Sequence, residues 1–229
     1  MKNIWTVVTF VFSFHNISFT KGIFMSEELR SLDIMKEIVN TGLGEAADSL
    51  SRLVDSRVTI MVPDVHIMDV DQVMHYIKEE IKDLGVYIAQ DFKGSVSGRT
   101  ILCYTQECSI SLLNAIYGDK MHVTAINEIG ISTLNEVGNI IMVSYISAIS
   151  NFINDRISFD LPETTLEISE KYFENLIGEL KEFDKAIVIK NLMQVKESNI
   201  EGYLFVLMSF KDFHLVVEIL EHQLKKKFL

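Results

Sequence analysis

The chain is short of cysteine, proline and basic residues. Its 229 residues include only 2 cysteines and 2 prolines, which excludes a disulfide scaffold and a proline-rich disordered chain. Cys103 and Cys108 lack the spacing and the neighbouring histidines of a zinc site, so we interpret them as structural thiols and predict no metal site. Lysine and arginine total 21 against 32 acidic residues, a net charge of -11 that disfavours nucleic-acid binding.

The N-terminal segment lacks charge, but it is not a clean apolar run. Residues 3 to 20 contain no Lys, Arg, Asp or Glu, yet polar side chains interrupt them, which makes a poor membrane span. No small-x-small cleavage site precedes Met25, which weakens the case for a signal peptide. Ser26 with two acidic residues after it is typical of a helix start. We favour Met25 as the real start and residues 1–24 as a doubtful leader, and the signal peptide stays as an alternative.

Apolar periodicity predicts an α-β-α-β-β-α order of elements in the first half of the chain. The predicted elements are a helix from Ser26 to about Val54, a strand Arg57–Ile67 that contains Pro63, a helix Asp71–Asp83, a hairpin of Val86–Phe92 and Arg99–Tyr104, and a helix ending near Tyr117. Residues 132–229 show the same order again, so the chain carries an internal repeat.

The repeat is exact in spacing over the first helix and strand. At a shift of 99 residues no gap is needed, and farther on Gly98 matches Gly202 at a shift of 104, which predicts an insertion in a loop of the second copy. The identical pairs at the first shift are Glu37 and Glu136, Asn40 and Asn139, Ser51 and Ser150, Arg57 and Arg156, and Pro63 and Pro162.

The duplicated order of helices and strands predicts a mixed α/β fold, of the α+β type. We expect residues 26–229 to form a single domain of two repeats, about 26–120 and 128–229, because each half would leave its sheet face and helix stripe half exposed. The predicted architecture is a pseudo-twofold body, in which a mainly antiparallel sheet packs against two long helices. Pro63 and Pro162 are expected at strand edges, where no N–H donor is needed.

A polar stripe runs along each long helix. On a helical wheel the two stripes lie opposite the apolar residues, so they are predicted to face solvent. Their members are Asp33, Glu37, Asn40, Gly44, Asp48 and Ser51 in the first copy, and Ser132, Glu136, Asn139, Val143, Ser147 and Ser150 in the second. The Glu and Asn of each stripe are three residues apart, which makes them surface neighbours. Core packing does not explain why these two exposed residues are identical while apolar positions vary, so they are candidates for binding a partner.

Two other chemistries are weaker candidates. Residues 42–47 fit G-x-G-x-x-A with Asp64 beyond them, as in a dinucleotide-binding turn, but no buried strand precedes them and the helical period continues through them. The glycines are better explained by a close approach of the helix to another helix or to a docking partner. No serine lies in G-x-S-x-G, and no Cys/His arrangement can be inferred, so a covalent intermediate is not expected.

The spacing D/S-x3-E-x2-N-x22-P, present twice, resembles the CheC/FliY/CheX family of response-regulator phosphatases. Its residues are Asp33, Glu37, Asn40 and Pro63 in one copy and Ser132, Glu136, Asn139 and Pro162 in the other. Two intact copies in one chain are typical of CheC-type members. Val39 stands where the family often has glycine, and Ile140 and Val143 make the second site more apolar, so the two sites are expected to differ in activity.

The resemblance implies hydrolysis of the aspartyl phosphate on a CheY-like response regulator in chemotaxis. The regulator brings its own Mg²⁺, so no cofactor of the chain itself is expected. Asn40 and Asn139 would orient a water for in-line attack, and Glu37 and Glu136 would engage the regulator's lysine. An amide can both donate to and accept from a water, and a carboxylate is the natural partner of an ammonium.

A second function class stays open at this point: a non-catalytic binding module for a receiver domain or for a CheD-like receptor deamidase, which CheC relatives bind. Turnover of a phosphorylated regulator at substoichiometric protein would distinguish the two. In either case we expect a cytoplasmic monomer with no membrane and no nucleic-acid partner.

Overall fold

The computed structural model describes residues 20–80, 84–118, 121–166, 180 and 182–227. Most of the predicted leader and the counterpart of the Asp71–Asp83 helix in the second copy therefore lie outside the described residues. The first helix begins at Thr20, so Ser26 lies inside it and the predicted N-cap at Ser26 is wrong.

Five helices and seven strands are described. The helices are α1 (Thr20–Leu53), α2 (Val70–Glu80), α3 (Gln106–Tyr117), α4 (Glu128–Ile153) and α5 (Phe210–Lys227). The strands are β1 (Val58–Asp69), β2 (Leu84–Lys93), β3 (Gly98–Thr105), β4 (Ser158–Phe159), β5 (Glu163–Leu166), β6 (Lys185–Val195) and β7 (Ser198–Met208). This order matches the prediction in the first copy.

The seven described strands form one sheet, and all their pairings are antiparallel. The order is β1-β6-β7-β3-β2-β4, and β5 also pairs with β2. It reads the same from both edges, because β1, β6 and β7 of one half mirror β4 with β5, β2 and β3 of the other. The predicted α+β fold with a mainly antiparallel sheet is confirmed. The division into two repeats of one domain stays a prediction, which the symmetric strand order supports.

The main core lies between one face of the sheet and the long helices. Strand alternation places Leu102, Leu204 and Val206 on this face, where they pack with α1 and α4 residues such as Leu50 and Leu134. A smaller cluster on the opposite face joins α2 to Ile101 and Phe205, among others. Helix α4 is long and apolar enough to cross a membrane by length and composition, but 61% of its most apolar stretch is buried within the protein, as in a core helix.

Capping residues explain where helices α3 and α4 begin and where α4 ends. The Thr105 hydroxyl accepts a hydrogen bond from the Cys108 N–H at 3.0 Å and caps α3. The Asn127 side chain accepts from the Gly130 N–H at 2.9 Å and caps α4, which ends at Asn154 in the left-handed region with φ 54. Such side-chain acceptors satisfy N–H groups that have no partner inside the helix.

Both prolines lie at a break in an edge strand, as predicted. Strand β1 is one edge of the sheet, and its register with β6 shifts between Met61 and Asp64, around Pro63. At the other edge, Pro162 separates β4 from β5, and the register with β2 shifts there as well. A proline has no N–H to give to a ladder, so it is tolerated at an edge or a bulge.

These matching breaks define which residues of the two copies are equivalent. Asp64 on β1 pairs with Lys190 on β6. Glu163, which lies 99 residues after Asp64, pairs with Ala89 on β2. Lys190 and Ala89 are therefore equivalent in the two copies, and so are the residues that follow them, Asn191 and Gln90. Thr100 pairs with Gln90 and Gly202 with Asn191, so the register matches Gly202 with Thr100.

The predicted match of Gly98 with Gly202 is therefore wrong. The two glycines serve different neighbours: a Cβ on Gly98 would meet the Phe92 ring, whereas one on Gly202 would meet the ring of Tyr104. The two positions match in the sequence because both are glycine, although they occupy different places in the two hairpins.

Candidate functional site

The two long helices cross where α1 carries Gly42. A Cβ on Gly42 would lie 2.9 Å from the carbonyl oxygen of Ser144 and 3.0 Å from the Cα of Tyr145, so a side chain at this position would collide with the backbone of α4. Gly44 has open space around it. Gly42 and Gly44 lie inside α1, which confirms that they do not form a dinucleotide-binding turn and that Gly42 permits a close approach between helices.

The second copy holds its asparagine by a hydrogen bond. Asn139 on α4 is half-buried, and its Oδ1 accepts from Nε2 of Gln90 on β2 at 2.8 Å. The same Nε2 donates to the backbone oxygen of Asp160 at 2.9 Å, in the segment between β4 and β5. Glu136, one turn before Asn139 on the helix, is exposed, and so is Ser132. The predicted residues Glu136 and Asn139 thus lie together at the surface of α4.

A charge pair borders this site. Lys93 at the end of β2 donates to Oδ2 of Asp160 at 2.8 Å, and both side chains are largely exposed. The hydrogen bond and the charge of Asp160 raise the pKa of Lys93. In the first copy, Met61 occupies the place of Asp160 and is 62% exposed, so the two sites differ in the charge of their surroundings.

The first copy leaves its asparagine exposed. Asn40 lies at the surface of α1, and none of the residues that the structure describes hydrogen bonds to its side chain. The side chains of Asp33, Glu37 and Pro63 lie outside the described part of the chain, so their predicted roles in the first site remain predictions. Half-buried Pro162 follows Leu161, which is 88% exposed.

The last serine of each predicted stripe does not face solvent. Ser51 is half-buried; its hydroxyl donates to the Ala47 oxygen at 2.7 Å and accepts from the Val58 N–H at 2.9 Å, joining α1 to β1. Ser150 is buried and donates to the Asp155 oxygen at 2.6 Å. The prediction that the stripes face water is wrong at these ends, because the chain that follows each helix folds back over its last turn. At Asn139 the side chain is half-buried rather than fully exposed.

Sequence reasoning did not find Gln90. Strand alternation does contain a signal: Gln90 shares a face with the apolar residues Val86, Ile88 and Phe92, and it is only 2% exposed. An amide on an apolar face needs hydrogen-bond partners, because an unpaired polar group in the core is costly. That signal indicates a polar contact but does not say with which residue.

The described residues offer little support for metal binding or for catalysis by a cysteine thiol. Within the described ranges, no group of three or more His, Cys, Asp or Glu side chains could hold a metal ion. Both cysteines are free thiols, as predicted, and burial raises the pKa of Cys103 far above its usual value. A buried, protonated thiol is a poor nucleophile.

Comparisons with known proteins agree with this architecture. No family model matches the chain. The chain is 19% identical over 199 residues to the CheY-P phosphatase CheC of Bacillus subtilis (strain 168), a match that covers 84% of this chain and 94% of that protein. FliY of Thermotoga maritima has a similar structure, with a TM-score of 0.66 at 18% identity over 84% of this chain and 96% of that chain. A chain in a FliG–FliM complex from H. pylori has a TM-score of 0.58 at 12% identity, covering 80% and 96%.

The fold and the repeated motif define a duplicated α+β protein, in which two long helices carry Glu-x-x-Asn at equivalent positions. The chain shares this fold with FliY of Thermotoga maritima, and its sequence is similar to that of the CheC protein of Bacillus subtilis. The resemblance deduced from the spacing of acid, amide and proline is confirmed at the level of the fold.

Proposed function

We propose that the chain is a phosphatase that hydrolyses the aspartyl phosphate of a CheY-like response regulator in chemotaxis. The observation that carries the proposal is the repetition of Glu-x-x-Asn on two helices of this fold, with Asn40 and Glu136 exposed and Asn139 half-buried at the surface. Similarity to a protein named CheY-P phosphatase CheC supports the same substrate class. Such a substrate would place the chain in the cytoplasm.

In this proposal the chain contributes positioning rather than a nucleophile. The regulator supplies the phosphoaspartate and its own Mg²⁺. A water oxygen forms a bond to phosphorus while the bond from phosphorus to the aspartate oxygen breaks, which yields inorganic phosphate and a free carboxylate. The asparagine amide holds that water in line, and phosphoryl transfer depends mostly on such alignment and on charge stabilisation.

The acidic residue of each motif serves docking. Glu37 and Glu136 would pair with the ammonium group of the regulator's lysine, and this pair would set the register of the helix in the regulator's active site. The exposure of Glu136 leaves its carboxylate open to such a partner. The aspartate or serine four residues earlier and the edge-strand proline are supporting positions of the motif.

The test is release of inorganic phosphate from a phosphorylated CheY-like regulator with Mg²⁺. We expect many turnovers at substoichiometric protein. The double variant Asn40→Ala with Asn139→Ala should lower the rate about 10²–10³-fold, by analogy with the loss of an oriented hydrogen-bond donor. Asn151→Ala, which removes another exposed asparagine of α4, is the matched control and should keep the wild-type rate. Normal turnover by the double variant would contradict the role of the amides.

A non-catalytic binding role is the second candidate. It is favoured by the FliG–FliM complex, because a chain of that assembly shares this fold. A binding module would protect the phosphorylated regulator or leave its decay unchanged at any ratio of the two proteins. A CheD-like deamidase as a further partner and a monomeric state stay predictions, which pull-down with such a deamidase and sedimentation would test.

A further inference from the structure

We propose that Gln90 is a positioning residue that holds Asn139 ready for catalysis, so that the second copy carries the stronger site. The proposal rests on the function proposed above and adds a residue and a ranking of the two sites to it. The observation behind it is the pair of hydrogen bonds from Gln90 Nε2 to Asn139 Oδ1 and to the Asp160 oxygen.

These two bonds determine which way both amides face. The oxygen of Asp160 is a backbone carbonyl, so it can only accept, and the atom of Gln90 that faces it must be nitrogen. The atom of Asn139 against that same nitrogen must then be oxygen. The NH₂ group of Asn139 is therefore turned away from the sheet, and its two hydrogens and the second lone pair of Oδ1 remain for a water.

A glycine on α4 makes the bond possible. Gly138 precedes Asn139, and a Cβ on it would lie 2.9 Å from Cδ1 and 3.0 Å from Cγ2 of Ile88. Ile88 and Gln90 are two residues apart on the same face of β2. Because α4 approaches β2 this closely, the Gln90 side chain reaches the helix.

The first copy lacks both features. The residue equivalent to Gly138 is Val39, which is 2% exposed and inserts a branched side chain between α1 and the sheet. The residue equivalent to Gln90 is Asn191, which is one methylene shorter and 1% exposed. Neither amide atom of Asn191 has a hydrogen-bond partner within the described residues. No side chain in that part of the chain therefore holds Asn40 by a hydrogen bond, as Gln90 holds Asn139.

Gln90 is a costly choice for packing alone. Its Oε1 is buried and has no partner among the residues described, and an unpaired buried acceptor is destabilising. An apolar residue of similar length would fill the same space without this cost. The placement is explained if the two donated bonds serve Asn139 rather than stability.

The kinetic test isolates each site in turn. In an Asn40→Ala background, Gln90→Met should lower kcat about 10–100-fold, because a misplaced water loses in-line alignment, and KM should change less than twofold. In an Asn139→Ala background the same substitution should leave kcat within twofold. Asn191→Leu is the matched control: it removes the equivalent amide and should leave kcat within twofold in the Asn139→Ala background. An unchanged kcat in the first background, or an equal loss in both, would overturn the proposal.

A measurement on the unsubstituted protein tests the bond directly. Nitrogen-15 relaxation should give a higher order parameter for the side-chain NH₂ of Asn139 than for that of Asn40, because only the former is anchored through its oxygen. Equal order parameters would overturn the proposal even if a Gln90 variant failed to fold. If the proposed function itself were wrong, no variant would release phosphate, yet this difference in order would persist.

Discussion

The crossing of the long helices can be tested with two glycines of α1. A Gly to Ala change in a helix interior gains about 1 kcal/mol of helix propensity. At Gly44 nothing lies near the added methyl group, so Gly44→Ala should raise the free energy of unfolding by about that amount. At Gly42 the methyl would lie 2.9 Å from the Ser144 oxygen and 3.0 Å from the Tyr145 Cα.

Those two contacts are with backbone atoms, which cannot rotate away, so the helices must separate. Overpacking of this kind costs about 1–3 kcal/mol, which cancels or exceeds the propensity gain. Because the propensity term is the same in both variants, their difference isolates the packing cost. The free energy of unfolding of Gly42→Ala should therefore lie about 1–3 kcal/mol below that of Gly44→Ala.

Urea unfolding followed by circular dichroism measures both variants against the wild type, and unchanged m-values would show that the unfolded states are comparable. If Gly42→Ala is stabilised as much as Gly44→Ala, the helices do not cross in the contact described, and the reasoning about α1 and α4 fails.

Three further predictions concern the rest of the fold. Ser51→Ala should lower the free energy of unfolding by about 1–3 kcal/mol in urea titrations, because the buried Val58 N–H loses its acceptor; an unchanged midpoint would contradict this. Hydrogen bonds from the Ser95 hydroxyl and N–H lower the pKa of Asp155. Asp155 therefore stabilises the fold above its unfolded-state pKa of about 4, and this contribution is lost as the pH falls through the folded-state value. Asp155→Asn should make the free energy of unfolding depend less steeply on pH in that acid range, and an equally steep loss would refute the reasoning. The native protein should react with a thiol reagent at half-buried Cys108 before buried Cys103, and mass spectrometry showing the reverse order would contradict the placement.

Much of this protein follows from the sequence alone. The duplication, the order of elements in the first copy and the edge-strand prolines depend on periodicity and on residues that have one dominant backbone role, such as proline. The Glu-x-x-Asn spacing likewise makes the two side chains neighbours on any helix. These are local properties, and the physics that governs them acts within a turn of helix or along one strand.

Only the tertiary structure decided how the two copies differ. Gln90 and Asn139 are 49 residues apart in the chain, and their contact depends on how closely α4 lies on the sheet. That separation is set by whether Gly138 or a valine such as Val39 stands between helix and strand. A helical wheel shows the direction of a side chain but not the distance to the next layer, so the burial of Ser150 and the anchoring of Asn139 emerge only when the layers are packed together.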